Sequence, residues 1–301
     1  MKEKAQAMVM ASLAADSLAL GVHWIYDSKK IKSDHGLVDH LLTPKPESYH
    51  PTKKKGDFTH YGDQTLVLLE SVAASGGFDP KDFYRRWQEL FQAYDGYHDM
   101  ATKATLRKMA RGKSHNCCGS DSNDIAGASR IAPLILNLRE NPDQLAADAR
   151  GQTMMTHQDQ ITMDCAEFFS LVALECLKGT PPSQALQQIA QEEFSDSPIG
   201  RWTRQGIEAR DEESIPAVIR FGQSCHTTDA FPGIIQIIAK YEGDLAQGVV
   251  QAVMAGGDNA ARASITAMIL AAHQGMDSKT QEWFQGLNKK DTILQFLDKI
   301  T

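Results

Sequence analysis

The stretch Gln158-Asp-Gln-Ile-Thr-Met-Asp-Cys-Ala-Glu-Phe-Phe-Ser-Leu-Val-Ala-Leu-Glu-Cys-Leu-Lys178 decides the fold class. Its apolar residues Ile161, Cys165, Phe168, Phe169, Val172 and Leu177 fall on one face of a helix, not on alternate positions of a strand. Working outward, the same three- and four-residue spacing predicts helices over 63–74, 80–93, 99–111, 123–140, 182–193, 229–241, 244–255 and 259–274. The first apolar run, Ala5 to Ala15, carries Asp16 in register and continues through Leu18 and Leu20 to Gly21. It reads as an amphipathic helix closed by glycine, not as a cleavable leader. β-Branched alternation is almost absent, while Ala, Leu, Gln and Met are abundant. The prediction is all-α: a single compact many-helix domain over residues 1–301.

Composition narrows the function. With 42% apolar and 23% charged residues the chain has an ordinary globular make-up. A net charge of −7 speaks against nucleic acid as a partner, because phosphate backbones need a basic face. Lys53-Lys54-Lys55 is the densest basic run and reads as a solvated loop after Pro44, Pro46 and Pro51. No apolar segment approaches the roughly 18 residues that span a bilayer, so no membrane partner is expected. Five cysteines without regular spacing fit free thiols in a reducing compartment, and the expected location is cytoplasmic. The irregular region from Lys30 to His60 has the length of a functional or mobile loop.

Two helix openings share one construction. Tyr61-Gly-Asp-Gln-Thr65 and Ala255-Gly-Gly-Asp-Asn-Ala-Ala-Arg262 both place Asp after Gly and before an apolar run. Asp258 occupies an N-cap position, where a carboxylate either caps its own helix or holds a cation. Together the openings suggest one composite site. Arg262 either reaches back to Asp63 or Asp258 as a built-in cation or lies on an exposed helix face. In His23-Trp-Ile-Tyr-Asp27, His23 and Asp27 can exchange protons and Trp24 can stack on a base or ribose. The alternative is an aromatic plug, with Asp27 capping a helix from Ser28. The polar loop Ser114–Asp124 leads into a segment bearing Arg130, a combination suited to a diphosphate or to internal structure. His157 and the Cys225–Asp229 loop are further polar helix openings. His115, Cys117, Cys118, Cys225 and His226 lack the spacing of a zinc site.

The order Ala15-Asp16, Tyr61–Thr65, Gly127-Ala-Ser-Arg-Ile-Ala-Pro133 and Gly256-Gly-Asp258 resembles the ADP-ribosylglycohydrolase family, which includes a branch recruited as lens crystallins. The resemblance covers nearly the whole chain. It implies an all-α domain that uses two magnesium or manganese ions to hydrolyse the glycosidic bond of an ADP-ribosyl group. The family's Thr-Asp-Asp-Thr corresponds to Gly62, Asp63, Gln64 and Thr65. Its Gly-Gly-Asp-Thr-Asp-Thr corresponds to Gly256 through Ala261, and His23 stands nearest a catalytic glutamate. With half of the carboxylates gone, the resemblance implies one Mg²⁺ or Mn²⁺ on Asp63, Asp258 and Asp16 in place of a full two-metal centre. The implied roles are catalysis by His23, Asp27, Asp63 and Asp258. Substrate binding falls to Trp24, Asp124, Arg130, His157 and Arg262, with free or protein-linked ADP-ribose as partner. The alternative is a non-catalytic member that binds or packs.

Overall fold

Most helices begin where a side chain accepts their unpaired N–H groups. In a computed structural model describing residues 1–300, α1 (Lys2–Leu20) is followed by α2 (Ser28–His35), capped by Asp27, and α3 (His60–Ser75), capped by Thr59. Asp79 and Asp99 cap α4 (Pro80–Gln92) and α5 (Met100–Ala110). Two short helices, α6 (Ala126–Ser129) and α7 (Ala132–Asn137), precede α8 (Pro142–Met154) and α9 (Gln160–Lys178). The chain continues through α10 (Pro182–Glu193), α11 (Pro198–Glu208), α12 (Ser214–Phe221) and α13 (Thr227–Lys240). It ends with α14 (Leu245–Met254), α15 (Asn259–Gln274), α16 (Ser278–Gln285) and α17 (Lys290–Lys299). No strand occurs among the described residues; Ser120 with His157 and Asp124 with His226 form isolated bridges. The fold is all-α.

The helix that decided the fold class starts two residues later than predicted. Asp159 accepts the Thr162 N–H, and Gly179 at φ 107° closes the last turn onto Glu175 and Cys176. The predicted 123–140 helix breaks between α6 and α7. Pro133 has no N–H to give the preceding turn, so the chain restarts at Ile131. Ser197 caps α11 by accepting the Ile199 N–H.

α15 is the axis of the molecule. It is buried from Asn259 through Ala272 and packs antiparallel along α1, with α14 and α9 beside it. Lys4 Nζ reaches the His273 carbonyl at the far end of this pair, 2.6 Å away. Ala11, Ala15, Ala19, Ala263, Ala267 and Ala271 are all buried; their small side chains allow the close approach. The antiparallel pairing brings the C-terminal end of α1 to the N-terminal end of α15. The N-terminus of α3 joins them through Asp16. No helix among the described residues is long and apolar enough to cross a membrane.

Candidate functional site

The glycines before α15 serve an internal strap. Gly256 and Gly257 have φ of 72° and 65°, and a Cβ on Gly257 would stand 2.2 Å from the Gln223 carbonyl. Trp24 N–H donates to the Gly257 carbonyl at 3.0 Å, and Gly257 N–H donates to Ile25 at 2.9 Å. This reciprocal pair fixes the loop after α1 against the mouth of α15. Trp24 is held there at φ 63°, the one non-glycine residue with positive φ among those described.

Asp258 does not cap its helix. Both carboxylate oxygens are buried without a hydrogen-bond donor, although the Ala261 N–H of the first turn points toward them. Burial pushes its pKa up to about 6, against the pull of Arg262 and His60. His23 Nε2 stands 3.8 Å from Asp258 Oδ1. His23 Nδ1 lies 3.0 Å from Asn259 Oδ1, while Asn259 Nδ2 donates to the carbonyls of Val253 and Val22. The partners fix the tautomer: Nδ1 carries the hydrogen, and Nε2 is a lone pair facing Asp258. Burial, with His60 nearby, lowers the His23 pKa to about 3.

His50 and His60 complete a stack that no motif announced. Ring centres lie 5.4 Å apart for His23 and His50, and 5.7 Å for His50 and His60. His60 Nε2 meets Asp99 Oδ2 at 3.2 Å, and Asp99 also caps α5. Trp24 stacks on His23 at 4.3 Å, while Tyr49 and Tyr97 stand edge-on to it at 5.0 and 4.9 Å. The Tyr61 hydroxyl is buried without a partner in the field of Asp124, Asp258 and Asp99. Asp124 Oδ1 accepts the Ala126 N–H; burial and then Asp258 raise its pKa well above the usual range.

The family profile for ADP-ribosylglycohydrolase matches residues 1–301. The chain belongs to the ADP-ribosylglycohydrolase family. Crystallin J1A of Tripedalia cystophora is 22% identical over 320 residues, covering 100% of this chain and 97% of that protein. An uncharacterized protein of Archaeoglobus fulgidus is 23% identical, covering 100% and 96%. A solved structure described as an ADP-ribosylglycohydrolase-related protein complex superposes with a TM-score of 0.73 at 20% identity, over 99% of this chain and 97% of that one. It shares the fold.

The family's oxygen-rich metal site is not assembled from these residues. Asp16, expected as a ligand, accepts Thr59 N–H at 2.8 Å, the Thr59 hydroxyl at 2.6 Å and Gly62 N–H at 3.1 Å. A side chain at Gly62 would collide with it, Cβ lying 2.4 Å from Asp16 Oδ2. Asp63, expected in catalysis and as a ligand, pairs with Lys53 Nζ at 2.6 Å and accepts the Tyr94 hydroxyl at 2.6 Å. Gln64 is spent on Trp87 and Arg130. Ala260 and Ala261 are buried and offer no oxygen. An ammonium, a phenol and backbone N–H groups take the lone pairs that hard cations need. A two-magnesium centre does not fit.

Three further expectations are corrected by placement. Asp27 is exposed and caps α2 by accepting Lys29 and Lys30 N–H, so it does not face Asp258. Arg130 is buried, with Nε on Gln152 at 2.8 Å, Nη1 on Gln64 at 2.9 Å and Nη2 on Thr156, so its fork is turned to internal partners and not to a phosphate. Arg262 is buried, not exposed, and of the two expected carboxylates its charge acts on Asp258, not Asp63. It donates Nε to the Ala252 carbonyl at 3.1 Å and Nη2 to Gly256, neutralising the end of α14 beside Asp258. His157 Nδ1 meets Thr156 Oγ1 at 2.9 Å, and its Nε2 is buried without a partner. Of the sequence-predicted set, His23, Trp24, Asp258 and, by its field, Asp124 share one locality. His50, His60, Tyr61, Tyr97 and Asp99 were missed as site residues. The one signal for His50 and His60 was their place in, and at the end of, the long irregular loop.

Proposed function

We propose that this chain hydrolyses a glycosidic bond of an ADP-ribosyl or related nucleoside substrate, with Asp258 as the base. One observation carries the reading: a buried carboxylate with both oxygens unpartnered faces the lone pair of His23 Nε2 at 3.8 Å. A pKa near 6 suits proton acceptance at neutral pH. A water between the two groups would donate one hydrogen to His23 Nε2 and release the other to Asp258. Its oxygen bonds to the anomeric carbon as the glycosidic bond breaks, and the leaving atom keeps the bonding pair. Tyr61, held neutral by burial, is a proton donor in the same locality for that atom. Trp24, Tyr49 and Tyr97 offer aromatic surface to a base or ribose.

A second reading, ADP-ribose binding without turnover, is favoured by the Lys53–Asp63 pair, which ties up a carboxylate of the family's first metal motif. Incubation with ADP-ribosyl-arginine and chromatography of released ADP-ribose separates the two. The first reading expects release that falls about 10²–10⁴-fold in Asp258→Asn. ADP-ribose binding by calorimetry with no release supports the second. Neither binding nor release sinks both.

A further inference from the structure

We propose that His23, His50 and His60 form a binding site for a transition-metal dication of the zinc, cobalt or nickel class, with Asp258 as the facing negative charge. One ring nitrogen from each histidine lies within 4.8 Å of the other two. The centre of a triangle with that edge is about 2.8 Å from each corner, so inward shifts of about 0.7 Å reach the zinc–imidazole distance.

The nitrogens are prepared for it. His23 Nε2, His50 Nδ1 and Nε2, and His60 Nδ1 are buried and meet no hydrogen-bond partner. Four orphaned imidazole nitrogens in one cluster are costly to fold, and a cation would satisfy three at once. Behind two of the rings stand orienting acceptors: Asn259 Oδ1 on His23 Nδ1 and Asp99 Oδ2 on His60 Nε2. Metal-ligating histidines are held in this way, with the far N–H donated so that the near nitrogen presents its lone pair. Burial holds His50 and His23 far below the usual imidazole range, leaving them in the neutral form that binds metal.

The donor type selects the cation. Imidazole suits zinc, cobalt, nickel and copper, whereas magnesium requires oxygen. The charge balance allows it: Asp258, Asp99 and Asp124 lie in one another's field, three carboxylates against the charge of Arg262, which acts on both Asp258 and His23. His23 also lines a cavity of about 190 Å³ with Trp24, Tyr49 and Lys45. This site replaces the oxygen centre of the family with a nitrogen one. The cation would take the His23 Nε2 lone pair, leaving Asp258 alone to hold the water of the hydrolytic reading; its binding does not depend on that reading.

The test titrates the chelator-stripped full chain with Co²⁺ and follows its visible absorption. Expected are one equivalent bound with the intense bands of low-coordinate, nitrogen-ligated cobalt, displacement by one equivalent of Zn²⁺, and no displacement by millimolar Mg²⁺. His50→Ala, which removes no hydrogen bond made by that ring, should weaken binding about 100-fold or more. The exposed His40→Ala should leave it unchanged. If His50→Ala fails to fold, the wild-type spectrum and protection of histidines from diethyl pyrocarbonate by Zn²⁺ decide the matter. Absence of a one-to-one cobalt spectrum, equal binding in a folded His50→Ala, or displacement by Mg²⁺ would overturn the proposal.

Discussion

His23 Nε2 and Asp258 Oδ1 face each other across 3.8 Å, both buried and neither hydrogen-bonded. A fold that only packs these residues gains nothing from leaving them so, because an unpaired buried carboxylate is costly. The prediction is a split between stability and function. Asp258→Asn should lower activity about 10²–10⁴-fold and yet raise stability at pH 7.5 by about 1–2 kcal/mol, since it removes a carboxylate whose burial outweighs the pull of Arg262. Urea unfolding of both proteins checks it, and a clearly destabilised Asp258→Asn would mean that the carboxylate has a structural partner.

Asp16 should respond in the opposite sense to the same exchange. Its oxygens accept from Thr59 N–H, the Thr59 hydroxyl and Gly62 N–H, which anchors the start of α3 to α1. Whichever way an amide is turned at this position, its NH₂ faces a backbone N–H. Asp16→Asn should therefore cost about 2–3 kcal/mol in the same unfolding experiment. Equal effects at positions 16 and 258 would contradict the assignment of one as structural and the other as chemical.

The pH dependence follows from the same residue. Burial raises the Asp16 carboxyl from 3.8 to about 6, so between these values the folded chain binds more protons than the unfolded one. Its contribution is full below the unfolded pKa and is lost as pH rises through the folded one, amounting to about 3 kcal/mol. Subtracting the Asp16→Asn stability profile from the wild-type profile between pH 4 and 7 isolates this contribution. A flat difference would show that Asp16 ionises normally.

Thiol reactivity should divide the five cysteines. Cys117 is exposed, and the Ser114 hydroxyl lowers its pKa, whereas Cys118, Cys165 and Cys176 are buried and burial raises the Cys225 thiol. Iodoacetamide at pH 7.5 should modify Cys117 first and by itself, read by peptide mass. Early labelling of Cys225 would show that the loop before α13 opens.

The fold was legible because helical periodicity is local. Ile161, Phe168 and Phe169 report their own face, and Asp159 and Gly179 mark the ends from adjacent sequence. The break at Arg130 was hidden because Ile131, Leu134 and Ile135 keep the apolar spacing across it, although Pro133 was there to be weighed. The site was legible at Asp258, His23, Trp24 and Asp124, which stand in or beside polar helix openings that the sequence displays. What disarms Asp63 comes from Lys53 and Tyr94, ten and thirty-one residues away in the chain. The histidine stack joins positions 23, 50 and 60 through tertiary packing that no spacing rule encodes.

The two glycines at the mouth of α15 are required by a close internal approach as well as by their backbone. Gly76 and Gly257 both have positive φ, 70° and 65°. An alanine at either pays the left-handed penalty of about 1 kcal/mol. At Gly76 nothing lies within 4 Å of the added Cβ, so Gly76→Ala should cost little more than that. At Gly257 the Cβ would meet the Gln223 carbonyl at 2.2 Å, the same oxygen that accepts the Asp258 N–H at 2.8 Å. Relief requires moving Gln223 or the strap that carries Trp24, and either displaces Asp258. Gly257→Ala should therefore lose about 3 kcal/mol or more and weaken cobalt binding, while Gly76→Ala binds as wild type. Parallel denaturation and cobalt titration of the two variants read both effects. Equal costs would place the demand for glycine in the backbone angle alone, not in the close approach that builds the site.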